Sequence, residues 1–517
     1  MNSSPNTDYD AIVIGAGHNG LVTAAYLSRH GYRTMLIEAR SQVGGTAASE
    51  SFAGAVANIC NCDHLTFRTT PIMDELQLAS HGLTYIDVEP PQVNGDWETG
   101  KLWAMHKDVD ATLDSLGAAH PDQVDGYRRY LRDTLPVARL ILEAGAEPPS
   151  RLGLATKVLS RGGRGMSNLL RFSRMSAADV LRQYFTSDAV MGPALVTGPM
   201  VWGISPETPG SGLGALTYAL RHVGTVGRPV GGSGALTDAI KDAFLTSGGH
   251  LRLNTKAISI NCEGDHARSV TTSDGSTLTA KIIVSAADPA RTFVKWLKNP
   301  PSRAQSLIER WQLAEHVQGY ESKIDAVVSS APVFRNGPLI DGNPAIGPTH
   351  IISPTLAEIH QSAHDMARGI VTNRVGMLFN VPSGLDPTVA PSGKHVVSLE
   401  ALFTPYNAVN GWSSTEEPLR WMRLLDPFLE TPLAELVEEW RVKTPTEYES
   451  EFHLPRGHAT SFPGGPLAAF SGKPQELTRY RTAVKGLYLT GAATFPGAGV
   501  WGASGRNAAF AVIRDND

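Results

Sequence analysis

The rhythm of apolar positions changes twice within the first forty residues. YDAIVI, residues 9 to 14, settles into an unbroken apolar run, the pattern of a parallel strand covered on both faces. From Asn19, NGLVTAAYLSRHGY spaces its apolar residues by three and four, which predicts a helix closed by Gly31. RTMLIEA then returns to a strand rhythm and carries Glu38 and Ala39 at its end. Strand, helix and strand follow one another with short joints.

Similar rhythms recur far downstream. Residues 228 to 260, RPVGGSGALTDAIKDAFLTSGGHLRLNTKAISI, read as a glycine turn, a helix and a strand. Asp274-Gly275 marks a hairpin turn, and KIIVSAA is another buried strand. Near the other end, VKGLYLTGAAT is an apolar strand running into Gly491, and RNAAFAVIR predicts a final helix. Two blocks of different texture lie between these pieces. In the first, DGYRRYLRDTLPVARLILEAGA has helical periodicity with a kink expected at Pro136, and SAADVLRQYFTSDAV opens on a Ser176 and Asp179 cap pattern. In the second, KHVVSLEALFT predicts a strand and TPLAELVEEWRV a helix. No internal repeat or low-complexity linker divides them, so the scattered pieces must be brought together by folding.

The turn after the first strand carries the strongest chemical signal. Gly15-Ala16-Gly17-His18-Asn19-Gly20 spells G-x-G-x-x-G between a strand and a helix. The first glycine allows the tight turn, the second lets backbone approach a pyrophosphate, and the third lets helix and strand pack closely. Glu38 follows Gly20 by eighteen residues, where a carboxylate accepts both hydroxyls of an unphosphorylated adenosine ribose. Arg40, Gly44 and Gly45 come next, and the glycines add unhindered backbone N–H groups. The spelling recurs at Gly497, Gly499 and Gly502. A second dinucleotide would need its own acid about 20 residues further on, and only fifteen residues follow Gly502. One cofactor gripped from both ends of the chain is therefore expected.

With Gly44-Gly45 and the closing FPGAGVWGASG, the sequence resembles the phytoene desaturase and flavin amine oxidase branch of the glutathione-reductase-type FAD superfamily. The resemblance implies an α/β fold. A Rossmann-like FAD-binding domain would be assembled from residues 1–70, 226–298 and 471–517, with an inserted α+β substrate domain of 71–225 and 299–470. It implies FAD held by Gly15, Ala16, Gly17, His18, Asn19, Gly20, Glu38, Ala39, Arg40, Gly44, Gly45 and Thr46. The family's usual Gly-Gly-Arg is Gly44-Gly45-Thr46 here, which removes an arginine near the phosphates but keeps the glycine amides. Ala257 stands where the family commonly has valine, its backbone against the adenine. At the tail, Gly491 would lie by the pyrophosphate or ribityl chain. Gly499, Val500 and Trp501 would open a helix whose N-terminus faces the flavin pyrimidine, favouring the negative charge of the reduced ring.

The implied reaction is oxidation of a small apolar or amphipathic molecule, with hydride passing from a C–H bond to flavin N5 and loss of a neighbouring proton. A carotenoid, an amine or a secondary alcohol would each suit. Neither GGSG nor SGGH completes a second fingerprint after a strand, so no NAD(P)H domain is expected and O₂ or a quinone is the expected acceptor. Two other readings stay open, a redox-neutral isomerase using reduced flavin and a non-enzymatic lipid or prenyl escort on the same fold. Asp63 and His64, in NICNCDHLTF, lie where the family often lines the flavin. His64 is the candidate proton acceptor, with Asp63 orienting it.

Composition narrows the remaining classes. With 517 residues, 42% hydrophobic and 51 glycines, the chain is long enough for two or more loop-rich domains. A net charge of −5 with mixed signs gives no general attraction to nucleic acid. Three cysteines, Cys60, Cys62 and Cys262, argue against a disulfide framework. Cys60 and Cys62 form C-x-C, either buried inert thiols or a redox pair. MNSSPNTDYD lacks the layout of a secretory signal, and no run approaches the roughly 18 apolar residues of a membrane span. A cytoplasmic location is expected. Between Arg151 and Arg174 stand six Lys or Arg and no acid, a composition suited to an anionic membrane surface, with glycines 162, 163 and 165 expected to break any continuous helix. His360 and His364 share a helix face, but the pattern is not H-E-x-x-H and no metal site is expected. The oligomeric state is left open.

Overall fold

A computed structural model describes residues 7–60, 63–149, 153, 163–340, 342–412 and 416–517. Within them, strands gather into two large sheets. The first has a parallel core in which Leu487–Leu489, Thr277–Ser285, Tyr9–Ile14, Thr34–Ile37 and His250–Arg252 are neighbours in that order. Numbered along the chain these strands run 5-4-1-2-3, the doubly wound arrangement whose switch point lies between Tyr9–Ile14 and Thr277–Ser285. Ala257–Glu263 and His266–Thr272 continue the sheet as antiparallel strands, with the expected Asp274-Gly275 turn leading into Thr277–Ser285.

Alternate side chains of the first strand explain why it is apolar throughout. Ala11 and Val13 face a layer made by the helices His18–Arg29, Gly234–Thr246 and Ala503–Asn516. Ile12 and Ile14 face the other way, into a core with Ile260, Phe293 and Trp311. Two glycines set how closely these layers approach. A Cβ on Gly20 would stand 2.0 Å from the carbonyl oxygen of Gly15, and one on Gly505 would stand 2.1 Å from that of Asn19. Thr23 Oγ1 also donates to Gly505 O at 2.9 Å, fastening the last helix to the first.

The second sheet runs Val437–Lys443, Glu321–Val328, His395–Leu402, Met377–Asn380, Thr349–Ser353, Gln92–Asp96 and Leu102–Met105. Glu321–Val328 is buried along its whole length. Ile324, Ala326 and Val328 enter an apolar core with Phe379 and Trp421, so Glu321, Lys323 and Asp325 point to the opposite face. A helical layer built on Val124–Gly145 and Thr217–Val223 covers the adjoining region.

Several local expectations need correction. TPLAELVEEWRV makes one helical turn, Leu433–Leu436, and then the edge strand Val437–Lys443. Pairing with Glu321–Val328 outweighs the helical propensity of its Glu and Leu residues. The helix expected around Pro136 forms over Val124–Gly145, with the proline inside it. Gly163 and Gly165 do not prevent a helix over Gly163–Phe172, since both fall in its first turn. The rest of the basic stretch, including Gly162, lies outside the described residues apart from Gly153, Ser173 and Arg174. Ser176 does cap its helix, accepting from Asp179 N at 3.0 Å.

Candidate cofactor and substrate site

A long cavity lies at the switch point, beyond the C-terminal ends of the parallel strands, where doubly wound sheets bind their ligands. Gly15, Gly17, His18, Asn19 and Gly20 line it, as do Glu38, Ala39, Arg40, Gly44, Gly45, Thr46, Ala257 and Gly491. Thirteen of the predicted cofactor residues thus share one cavity. Ala16 sits behind them, buried, with its N–H donating to Glu38 and its carbonyl accepting from Gly44 N at 2.7 Å. Gly499, Val500 and Trp501 line a second cavity instead.

The residues fit FAD on four observations. Gly17 is the N-cap of His18–Arg29 and offers no side-chain cap, which leaves the first-turn N–H groups facing the cavity. A Cβ on Gly17 would meet no protein atom within 4 Å, so its place is open for a ligand. Glu38 is held by Ala16 N at 2.6 Å on one carboxylate oxygen and by Arg40 N at 2.9 Å on the other, and each oxygen keeps a lone pair for a ribose hydroxyl. Arg40 Nη1 and Arg291 Nε, both on the cavity wall, are buried without hydrogen-bond partners. Cations therefore stand on the wall although Thr46 replaces the family's arginine. Arg291 was invisible in the sequence, since no motif surrounds it. The same holds for Lys256, Phe452 and His453, which also line the cavity.

The tail closes the site in a slightly different way from that expected. Gly499, Val500 and Trp501 precede the last helix, which begins at Ala503 after Gly502 in a left-handed conformation (φ 70°). Gly499 O lies 3.1 Å from His18 Nε2, and Val500 O accepts from Thr66 Oγ1 at 2.8 Å. The Trp501 ring packs on Gly145, where an added Cβ would stand 2.0 Å from the ring. Burial lowers His18 to a pKa of about 4, so this ring is neutral at pH 7.

The second cavity joins the first. His18, Thr46, Ala459 and Ala492 line both. Its apolar side is formed by residues such as Leu65, Val201, Trp202, Leu213 and Leu378, and its polar side includes Asp63, Thr349, Asn380, Glu321 and Glu400. Sheet pairing builds that polar side: Glu400 is the cross-strand partner of Lys323, two positions from Glu321. Burial, followed by the neighbouring Glu321 carboxyl, pushes Glu400 well above the usual carboxylate range, and burial raises Glu321 as well. Lys323 is held by Asp325 and donates to Asn58 O at 2.8 Å.

Asp63 and His64 part company. Asp63 lines the second cavity, bound by Arg228 Nε at 2.7 Å and Thr349 Oγ1 at 2.6 Å. Burial opposes its charge most strongly of any one effect, but the Arg228 guanidinium and the Thr349 hydroxyl together outweigh it and lower the pKa. His64 is fully buried and lines neither cavity. Its Nδ1 lies 2.9 Å from Tyr85 OH and its Nε2 3.0 Å from Ser233 Oγ, and burial lowers its pKa to about 3. Both ring nitrogens are thus engaged by hydroxyls, not by Asp63, and the expected pair is not formed. Backbone pairing with Gly227 turns this ring into the protein.

Other candidates show no reactive arrangement. Cys60 Sγ is 3.6 Å from each Glu321 carboxylate oxygen, and burial with the nearby carboxyls raises its pKa well above normal. Cys62 lies outside the described residues. His360 and His364 are exposed, their Nε2 atoms 3.3 Å apart, and among the described residues no group of three His, Cys, Asp or Glu is placed to hold a metal. No described helix is long and apolar enough to cross a membrane.

Residues 20–513 match the family described as flavin containing amine oxidoreductase. The chain is similar to pyridine nucleotide-disulfide oxidoreductase domain-containing protein 2 of Mus musculus, 30% identical over 98% of this chain and 94% of that protein. It is also similar to a lycopene-forming phytoene desaturase of Paracoccus sp., 25% identical over 100% of this chain and 99% of that protein. Among solved structures, putrescine oxidase bound to putrescine shares the fold with a TM-score of 0.65 at 16% identity, covering 98% of this chain and 99% of that one.

Proposed function

Because the chain belongs to the flavin-containing amine oxidoreductases, we propose that it dehydrogenates an apolar or amphipathic small molecule bound in the second cavity, with O₂ or a quinone as final electron acceptor. The observation that carries this reading is the junction at His18, Thr46, Ala459 and Ala492, where the cofactor cavity opens directly into a chamber with an apolar side. When bound, FAD supplies a two-electron acceptor that takes hydride from a substrate C–H at ring N5.

The chain's own residues supply position and charge. Glu38 and the amides of the first helical turn anchor the adenosine and pyrophosphate end. The start of Ala503–Asn516 directs its positive end toward the region of Gly499 to Trp501, where it favours negative charge on a reduced ring. His18, being neutral, adds no cation that would bias the ring before substrate arrives. Of the expected Asp63 and His64 pair, Asp63 is the residue that faces the chamber. Held ionised by Arg228, it is a weak base but a good hydrogen-bond acceptor, suited to orienting a substrate N–H or O–H while the proton leaves to water.

The test is anaerobic mixing of the purified flavoprotein with candidate amines, alcohols and polyenes, followed by admission of air. Bleaching of the flavin and recovery in air are expected. A colourless protein, or no bleaching by any class, would count against the reading.

A further inference from the structure

Helix Thr217–Val223 places two polar groups on the chamber wall that the protein leaves without partners. Thr217 and Arg221 are four residues apart, so their side chains rise from one helix face, and both line the second cavity with Leu220 between them. Thr217 Oγ1 and Arg221 Nε are each buried with no hydrogen-bond partner. Among the described residues Arg221 enters no ion pair. Asp63 is the acid whose field reaches it, and that carboxylate is already bound to Arg228 at 2.7 Å. Glu321 and Glu400, elsewhere on the wall, are driven toward their neutral forms by burial, and Glu400 also by the neighbouring Glu321 carboxyl.

A guanidinium keeps its proton in a protein, and an uncompensated buried charge is costly until a counter-ion arrives. We propose that the chamber takes an amphipathic substrate bearing a carboxylate, which accepts hydrogen bonds from Arg221 and Thr217 while the apolar remainder lies along Leu65, Val201 and Leu213 toward the cofactor junction. The planar fork of arginine suits a carboxylate. A phosphate dianion brings a second charge that the nearby Asp63 opposes.

This deepens the proposed function and rests on the second cavity being the substrate chamber, but the test reads binding and not turnover. Isothermal titration calorimetry on the FAD-loaded protein, its flavin content measured separately, would compare octanoate, 1-octanol, octylamine and octyl phosphate. Octanoate is expected to bind about tenfold more tightly than 1-octanol, the size of one charge-assisted hydrogen bond, and more tightly than the other two. Arg221→Gln should abolish that preference, Arg221→Lys should keep part of it, and Thr217→Val should weaken octanoate several-fold without changing 1-octanol. No binding of octanoate, equal binding of octanoate and 1-octanol, tighter binding of octylamine or octyl phosphate, or an Arg221→Gln variant with the octanoate affinity intact would overturn the proposal. Normal octanoate binding through Arg221 in a protein that bleaches with no substrate would count against the enzymatic reading alone.

Discussion

His18 Nε2 lies 3.1 Å from the carbonyl oxygen of Gly499, joining two glycine turns 481 residues apart in the chain. The first turn lines the cofactor cavity and the second lines the cavity that adjoins it, with the histidine on both walls. The two glycine turns therefore meet where the two cavities join.

Glu38 should govern cofactor retention. Replacing it with alanine removes the ribose acceptor and leaves the amides of Ala16 and Arg40 without their partner, a loss of about 1–3 kcal/mol for each buried group. The flavin-to-protein absorbance ratio of Glu38→Ala should fall by at least tenfold after gel filtration, and retention at the wild-type ratio would contradict the assignment.

Gly17 and Gly20 should respond differently to the same methyl group. Gly17 has ordinary backbone angles (φ −63°, ψ 163°) and open space at its Cβ, whereas a Cβ on Gly20 meets Gly15 O at 2.0 Å. Gly17→Ala should fold with a stability within about 0.5 kcal/mol of wild type yet bind FAD at least tenfold more weakly. Gly20→Ala should lose about 3 kcal/mol or more of stability. Chemical denaturation of the two apoproteins, with flavin titration of the first, separates the effects.

Three histidines, His64 and His350 fully buried and His18 half-buried where the two cavities join, should make the protein sensitive to mild acid. Burial lowers His18 to about 4 and His64 and His350 to about 3, each from 6.5. The unfolded chain binds these protons first, so their contribution to stability is complete above pH 6.5 and is lost as pH falls toward 4 and 3. Near pH 5 the slope from three protons is about 4 kcal/mol per pH unit. His350 stacks on Phe334 with ring centroids 3.8 Å apart, so His350→Phe should reduce the slope by about one proton. Denaturation between pH 7.5 and 5 measures it, and a flat profile would remove the assignment.

Cys60 should be a poor nucleophile despite its place on the chamber wall. With its pKa raised by burial and neighbouring carboxyls, little thiolate exists at pH 7.5. Iodoacetamide labelling followed by mass spectrometry should find it about a hundredfold slower than the same thiol in denaturant. Equal rates would revive the redox-pair reading.

What the sequence disclosed follows from how local each constraint is. Gly15, Gly17 and Gly20 answer to one turn, and Glu38 to the end of the next strand, so four residues of two types at short spacing reveal the cofactor end. Ala257 and Gly491 were readable only through the resemblance. The chamber was not readable: Thr217 and Arg221 come from a seven-residue helix, and Glu400 reaches the same wall because its strand pairs with Glu321–Val328. His64 shows the opposite failure. Its neighbour Asp63 faces the chamber, and in extended chain adjacent side chains point to opposite sides, which places the imidazole under Ser233 and Tyr85.

The fastening of Ala503–Asn516 to His18–Arg29 also sets a timetable. During synthesis at about 5–20 residues per second, Thr23 and its acceptor Gly505 emerge roughly half a minute to a minute and a half apart. For that interval the nascent β-α-β unit lacks both its covering helix and the neighbouring strand Leu487–Leu489, leaving apolar surface for holdase chaperones to engage. The cofactor cavity, whose wall includes Gly491, is then completed only after that interval.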